Sequence, residues 1–336
     1  MTSARPNVPP LPRPEYFPPT EHQTTETSPC WRADPAAVTT RRASPTPSSS
    51  AYVLITPTKD EAALIGETLR SVIAQTVRPI QWVIVSDGST DGTNAIVRDV
   101  AARHPWIHLV ELPPRAGRDF AAVVRATETG LRALTVQDHS FLGLLDSDVR
   151  FGPEYFARLL DTFASAPRLG LAGGVVFDPG TDRSRLPFNL QDVPGAVQFF
   201  RRNCFEQLGG LLALPEGGWD ALTCARARMA GFETRLVTHL HVDHLKPRNV
   251  AEGGSLRRKW QMGIRDHALG YSPVFQLFKC VGRLRERPWL IAGLAWGLGY
   301  LSASLSRRPR RLPPDLMRFV RQEQRHRLLA LLRLAR

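Results

Sequence analysis

Between Ala51 and Glu111 the chain repeats one pattern: an apolar run, a polar turn, then a segment with apolar residues at helical spacing. Ala51-Tyr-Val-Leu-Ile-Thr56 reads as a buried strand, and Ala62 to Thr76 as the helix after it, closed by Pro79. Gln81-Trp-Val-Ile-Val-Ser86 repeats the strand, Asn94 to His104 the helix, and Trp106 to Glu111 a third strand. Strands alternating with helices in this way predict an α/β fold, a mostly parallel sheet with right-handed crossovers and helices on its faces.

A further apolar run, Leu142-Gly-Leu-Leu-Asp146-Ser-Asp148-Val-Arg-Phe151, ends in two carboxylates one residue apart. Alternation along a strand points both roughly the same way. Two hard oxygen ligands at a strand's C-terminal end suit a divalent cation carrying a nucleotide's phosphates. Asp-x-Asp is also a common turn pair, and two solvated loop acids are the plain alternative.

Four motifs stand in order along the chain. They are Thr56-Pro57-Thr58-Lys59-Asp60-Glu61, Val83-Ile-Val-Ser-Asp87-Gly88-Ser89-Thr90-Asp91-Gly92-Thr93, Asp146-Ser-Asp148, and Gly218-Trp219-Asp220 with Arg226 six residues on and Gly231-Phe232 after it. Together they resemble a family 2 glycosyltransferase with the GT-A nucleotide-sugar fold, over about Ala51 to Leu245. The resemblance implies a donor pocket at the strand ends, with Thr56, Pro57, Thr58 and Glu61 beside the nucleoside and Asp87 accepting from base or ribose. Without the resemblance, Asp87-Gly-Ser-Thr-Asp-Gly is a turn with a helix cap. Asp148 is implied as a direct ligand of Mg²⁺ or Mn²⁺ on the diphosphate, and Asp146 as nearer the ribose or a metal-bound water.

An inverting transfer needs a base on the face opposite the leaving group. The family usually supplies it from a Glu-Asp pair; here Trp219 stands in place of the Glu, and Asp220 matches the Asp. Asp220 is the expected base, or else the cap of a helix over Ala221–Ala230, and Trp219 offers a stacking face to an acceptor sugar. A late His often completes such a metal site. His241 and His244 are the candidates, His244 preferred, because alternation puts His239, His241 and Asp243 on one strand face and leaves His244 at the strand exit. Arg118, in the loop Pro114 to Phe120, is expected near the diphosphate or in solvent. Gln198 and Arg201 are expected at the acceptor or phosphates, or in a packed strand with an exposed basic end.

Residues 1–50 are rich in Pro, Ser and Thr without apolar periodicity, and are expected to be disordered; no basic n-region with an apolar run marks a secretory signal. The resemblance implies a GT-A catalytic domain over residues 51–250, and residues 251–336 are expected to form a basic, membrane-associated helical region. Four scattered cysteines, Cys30, Cys204, Cys224 and Cys280, form no disulfide framework, which fits a reducing setting.

The net charge of +13 lies in one quarter of the chain. Residues 1–254 hold 26 basic and 27 acidic groups, and residues 255–336 hold 18 and 4. That partition argues against nucleic acid as the core's partner and for a basic appendage with its own. Pro288 to Leu305 carries no charge, with Arg283, Arg285 and Arg287 before it and Arg307, Arg308, Arg310 and Arg311 after it. It is short for a span, and an exported arginine-rich tail runs against the positive-inside tendency. A helix lying in, or dipping into, the cytoplasmic leaflet is expected, followed by an amphipathic helix over Asp315–Arg336 on anionic lipid, or else packed on the core with a solvated basic face, with Leu316, Phe319, Val320, Leu328, Leu331 and Leu332 on its apolar side.

The expected function is metal-dependent, inverting transfer of a sugar from a nucleotide diphosphate, UDP first, to a glycan or lipid-linked acceptor hydroxyl at the cytoplasmic membrane face, in cell-envelope polysaccharide synthesis. Arg257-Arg-Lys-Trp260-Gln261 only echoes the motif of processive family members, so single-sugar addition is expected. Three rivals remain. A sugar nucleotidyltransferase shares the two carboxylates but needs a Gly-rich nucleotide loop that Thr56-Pro-Thr-Lys does not provide. A non-catalytic nucleotide-sugar binder fits the missing Glu. A nucleic-acid-associated protein is set apart by salt-sensitive binding.

Overall fold

The computed structural model describes residues 50–114, 121–184, 186–187, 189–247, 254–282 and 291–334, with side chains as far as Leu331. Arg118, the N-terminal segment with Cys30, and the arginines at 283, 285 and 287 lie outside these residues. The sheet grows from the repeated pattern read above. Strands β1 (Tyr52–Thr58), β2 (Gln81–Asp87), β3 (Ile107–Leu112) and β4 (Phe141–Leu145) are parallel, in the spatial order β3-β2-β1-β4. Helices α1 (Ile65–Ile73), α2 (Thr93–Arg103) and α3 (Ala122–Arg132) make the crossovers. The helix expected from Ala62 begins three residues later, because Glu61–Leu64 form a turn in which the Leu64 amide donates to the Glu61 carbonyl.

Beyond β4 the sheet becomes mixed. β7 (Val197–Arg201) runs antiparallel between β4 and β6 (Leu169–Phe177). β8 (Glu233–His244) pairs parallel with β6, and the short β5 (Val149–Phe151) closes the edge antiparallel to β8. Among the described residues, four of the seven pairings are parallel.

Both faces of the central strands are covered, which is why their sequences are apolar throughout rather than alternating. Tyr52, Leu54, Trp82 and Ile84 pack on one side with α1 and with α4 (Tyr155–Ala164). Val53 and Ile55 pack on the other, with α5 (Arg202–Leu208) and α6 (Trp219–Met229). Cys204 and Cys224 are buried and free.

Residues 43–336 form one unit, so the C-terminal helices pack on the core. They are α7 (Gly254–Ala268), α8 (Pro273–Gly282), α9 (Ile291–Leu305) and α10 (Pro314–Leu334). No helix among the described residues is long and apolar enough to cross a membrane. The tail helix packs on the core over its first turns, the second of the two readings above. Leu316 and Val320 are buried against Leu214, Leu222, Ala225 and Leu269, and Glu323 pairs with Arg228 of α6 at 2.6 Å. Its first turns therefore face the core, because those apolar residues meet an apolar surface that the sequence pattern alone does not reveal.

Candidate active site

The loops after β1 and β2 are tied to each other. The Asp60 carboxylate accepts from the Thr90 amide at 2.7 Å, Asp91 from the Ala62 amide at 2.9 Å, and Thr93 Oγ1 from the Glu61 amide at 2.8 Å. Gly88 makes the turn between them at φ 70°, with no room for a side chain: a Cβ there sits 2.4 Å from the Pro114 Cα. Asp87 ends β2 facing the same opening. The Asp-Gly-Ser-Thr-Asp-Gly stretch is thus both a turn and one wall of a cleft of about 530 Å³ at the C-terminal ends of β1, β2 and β4.

Three elements bring a metal-type cluster together. The Asp146 amide donates to the Ala196 carbonyl at 3.0 Å, fixing the exit of β4. Thr68 of α1 clamps the next turn: its hydroxyl lies 2.8 Å from the carbonyls of Ser147 and Val149 and accepts from the Val149 amide at 3.0 Å. Val149 then pairs across the sheet with His244, which sets that imidazole beside Asp148. His244 Nε2 lies 3.7 Å from Asp146 Oδ2 and 3.5 Å from Asp148 Oδ1. All three groups place a ligand atom within 4.8 Å of the others.

The donor set fits Mg²⁺ or Mn²⁺. His244 Nδ1 stands 2.6 Å from the Lys246 carbonyl oxygen, which accepts only, so Nδ1 carries the proton and the Nε2 lone pair faces the carboxylates. Burial, with Asp146 adding to it, raises the Asp148 pKa. Burial alone works to lower His244, but the neighbouring carboxylates of Asp146 and Asp148 outweigh that and raise it. Lys246 bonds Glu61 and lies 3.3 Å from Asp148 Oδ2, while burial raises the Glu61 carboxyl. This lysine was not anticipated; its one sequence signal is its place two residues after His244.

Across the cleft, α6 starts at Gly218, at φ 89°, where a Cβ meets Arg265 and Leu269 at 3.3 Å. Asp220 is the second residue of this helix rather than its cap. Its Oδ2 accepts from the Gly195 amide at 3.4 Å, leaving the carboxylate at the cleft. Trp219 packs its ring on Gly195, where a Cβ falls 2.8 Å from the indole, and lines the same opening. The roof is α7, through Arg258, Gln261, Met262 and Arg265. Arg258 and Gln261 belong to the Arg257–Gln261 stretch read above only as an echo of a motif, and Met262 and Arg265 carried no signal.

Pro57, Thr58, Glu61, Asp87, Asp146, Asp148, His244, Trp219 and Asp220 therefore share one cleft. Thr58 Oγ1 is buried there without a partner among the described residues. Five residues named from the sequence are placed elsewhere. Thr56 is fully buried below the cleft, its Oγ1 accepting from the Trp82 indole at 2.9 Å. Gln198 is fully buried and donates to the carbonyls of Val193 and Asp220 at 3.0 and 3.1 Å, so it holds the Asp220 turn rather than a ligand. Arg201 pairs in register with Phe141 at the opposite end of β4 from Asp146, and donates to the carbonyls of Leu169 and Phe163. Arg226 donates to the carbonyls of Leu208 and Gly210, closing the end of α5. His241 is exposed and bonds the Thr238 carbonyl at 3.1 Å, away from the cluster.

Residues 53–209 match the profile of glycosyl transferase family 2. No curated protein matches the chain. Among solved structures, a mannosyltransferase from Pyrobaculum calidifontis in complex with GDP-Man and Mn²⁺ is similar at TM-score 0.53 and 21% identity, over 78% of this chain and 77% of that one. S. aureus TarS is similar at TM-score 0.49 and 14% identity, over 65% of this chain and 39% of that one. TarS 1–349 with UDP-GlcNAc gives 0.46 and 14%, over 76% and 73%. Residues 53–209 thus resemble glycosyl transferase family 2, and the chain carries the GT-A fold.

Proposed function

We propose that this protein transfers a sugar, with inversion, from a nucleoside diphosphate sugar to an acceptor hydroxyl. The observation that carries the reading is one cleft holding the Asp146–Asp148–His244 cluster on one side and the Asp220 carboxylate on the other. The fold neighbour with GDP-Man and Mn²⁺ supports a nucleoside diphosphate donor. Asp146, Asp148 and His244 would hold a divalent cation, which would neutralise charge on the departing diphosphate. Thr58, Glu61 and Asp87 bind the nucleoside side of the donor. Asp220 takes the acceptor hydroxyl's proton as the oxygen bonds to the sugar carbon and the electron pair of the broken bond leaves with the nucleoside diphosphate. Attack from the Asp220 side, opposite the leaving group, inverts the centre. Trp219 gives the acceptor a stacking face.

The acceptor in this reading is a glycan or lipid-linked glycan of the cell envelope, met at the cytoplasmic face of the membrane. Trp219 in place of a second carboxylate favours one other reading, a nucleotide-sugar binder without turnover. Screening UDP-, GDP- and dTDP-sugars with and without Mn²⁺, by thermal shift and nucleoside diphosphate release, tests both. A metal-dependent shift with release and an inverted product supports transfer. Binding without release for any acceptor class favours the binder, and no binding of any donor overturns both.

A further inference from the structure

Helices α8 and α9 turn their hydrocarbon outward. On α8, Val274, Leu277, Phe278 and Val281 recur three or four residues apart and face solvent. On α9, Ile291, Leu294, Leu298, Leu301 and Leu305 do the same. Each of the nine leaves 45–75% of its surface exposed. The inward side carries small residues and the polar handles. Gly299 and Gly263 let α9 and α7 touch along their backbones: a Cβ on either falls 2.1 Å from a carbonyl oxygen of the other helix. The fully buried Asp266 of α7 accepts from Lys279 Nζ of α8 and from the Trp296 indole of α9, each at 2.7 Å. Charge inside and leucine outside reverses what water selects, and an exposed apolar patch of this kind marks an interaction surface.

The surroundings of the patch decide its occupant. Between Asp266 and Asp315 the sequence holds eight basic residues and one acid, Glu286. Arg307, Arg308, Arg310 and Arg311 follow α9 directly and are exposed. A second copy of the chain would bring two such arginine clusters together. An anionic lipid surface offers hydrocarbon to the stripe and phosphates to the rim. The 15 residues of α9 reach about 22 Å, short of the roughly 30 Å a spanning helix must cross.

We propose that α8 and α9 form a platform that lies in the headgroup layer of an anionic membrane, with their leucine stripes at the acyl boundary and the arginines after α9 on lipid phosphates. This rests on the membrane-face reading above and gives it a surface, different from the tail helix α10. The platform also places the site. One face of α7 lines the cleft and Gly263 on the same helix packs on α9, so docking holds the cleft about one helix diameter, roughly 10 Å, from the lipid. A lipid-linked acceptor then reaches Asp220 without leaving the surface.

Sedimentation of the full chain with vesicles of phosphatidylcholine alone, or mixed with phosphatidylglycerol, tests the platform. The wild type is expected to pellet with the anionic vesicles and to be released by salt. Leu294→Gln with Leu298→Gln should weaken the partition at least about tenfold, and Arg307→Gln with Arg308→Gln should weaken it and flatten its salt dependence. These positions are solvent-facing, so melting temperature and donor-induced thermal shift should stay at wild-type values. Absence of wild-type binding to anionic vesicles overturns the proposal, as does equal binding by the leucine variant. Self-association that the leucine variant abolishes, without vesicle binding, overturns it in favour of a dimer. Donor turnover, measured in the same samples without vesicles, reports on the transfer reading separately.

Discussion

In Asp220→Asn the amide oxygen can still accept the Gly195 amide that Oδ2 accepts at 3.4 Å, and the Gln198 bond to the residue 220 carbonyl is untouched. The turn keeps its shape and only the proton acceptor is lost. A positioned base contributes about 10²- to 10⁴-fold. At 1.36 kcal/mol per tenfold, the barrier should rise by roughly 3–5 kcal/mol. The assay is nucleoside diphosphate release at saturating donor and Mn²⁺, with donor binding followed by thermal shift. Expected are wild-type donor binding and a kcat lower by that factor. Gln198→Leu keeps the carboxylate but frees the turn, and a displacement of about 1 Å costs up to about 10²-fold, with the wild-type pH profile retained. An Asn variant within about threefold of wild-type turnover refutes the assignment. So does an Asn variant that loses donor binding as fully as turnover.

Three other outcomes follow from the geometry. Burial, the largest influence on both groups, raises Asp148 directly and is outweighed at His244 by Asp146 and Asp148, so both pKa values sit above their ordinary ones. Metal ligands must be unprotonated; Mn²⁺ affinity measured by calorimetry should therefore be full above the raised values and fall as pH drops through them, and a flat affinity between about pH 8 and 5 contradicts this. Asp266→Ala removes the buried carboxylate that Lys279 and the Trp296 indole share, and should destabilise the protein by about 3 kcal/mol or more in denaturant titration; a loss under about 1 kcal/mol would show that the three helices do not depend on it. Gly299→Val drives a side chain into the Trp260 carbonyl and should lower the melting temperature, while Gly282→Ala, with nothing within 4 Å, should leave it unchanged; equal effects would contradict the close α7–α9 crossing.

The strands, their parallel pairing and the carboxylate pair were legible because buried parallel strands write their burial into consecutive residues. Tyr52 to Ile55 and Trp82 to Val85 could hardly be read otherwise. His244 was legible as the strand exit, although β8 shifts register between Val237 and His241, which no alternation count foresees. Direction across the sheet was not legible. Because β7 runs antiparallel to β4, Arg201 lies at the far end from Asp146, and its type alone gave no sign of this. Thr56 was misplaced because the Trp82 indole, buried beside it, needs an acceptor. Lys246 meets Glu61 across 185 positions, a separation that single-chain pattern reading does not bridge. α7 serves two neighbours, the cleft and α9, so its periodicity points to neither. The tail helix showed a sound apolar face, but a face that meets protein and one that meets lipid look alike in sequence.

The most direct test of the site is the magnetic coupling of bound Mn²⁺ in a pulsed electron paramagnetic resonance experiment. In the wild type the account predicts nitrogen coupling from one directly bound imidazole, joined by phosphorus coupling when a nucleoside diphosphate is added. His244→Ala should lose the nitrogen signal while keeping weaker Mn²⁺ binding through Asp146 and Asp148. Wild-type Mn²⁺ without nitrogen coupling, or an unchanged signal in His244→Ala, would contradict the assignment of these three residues as the metal site.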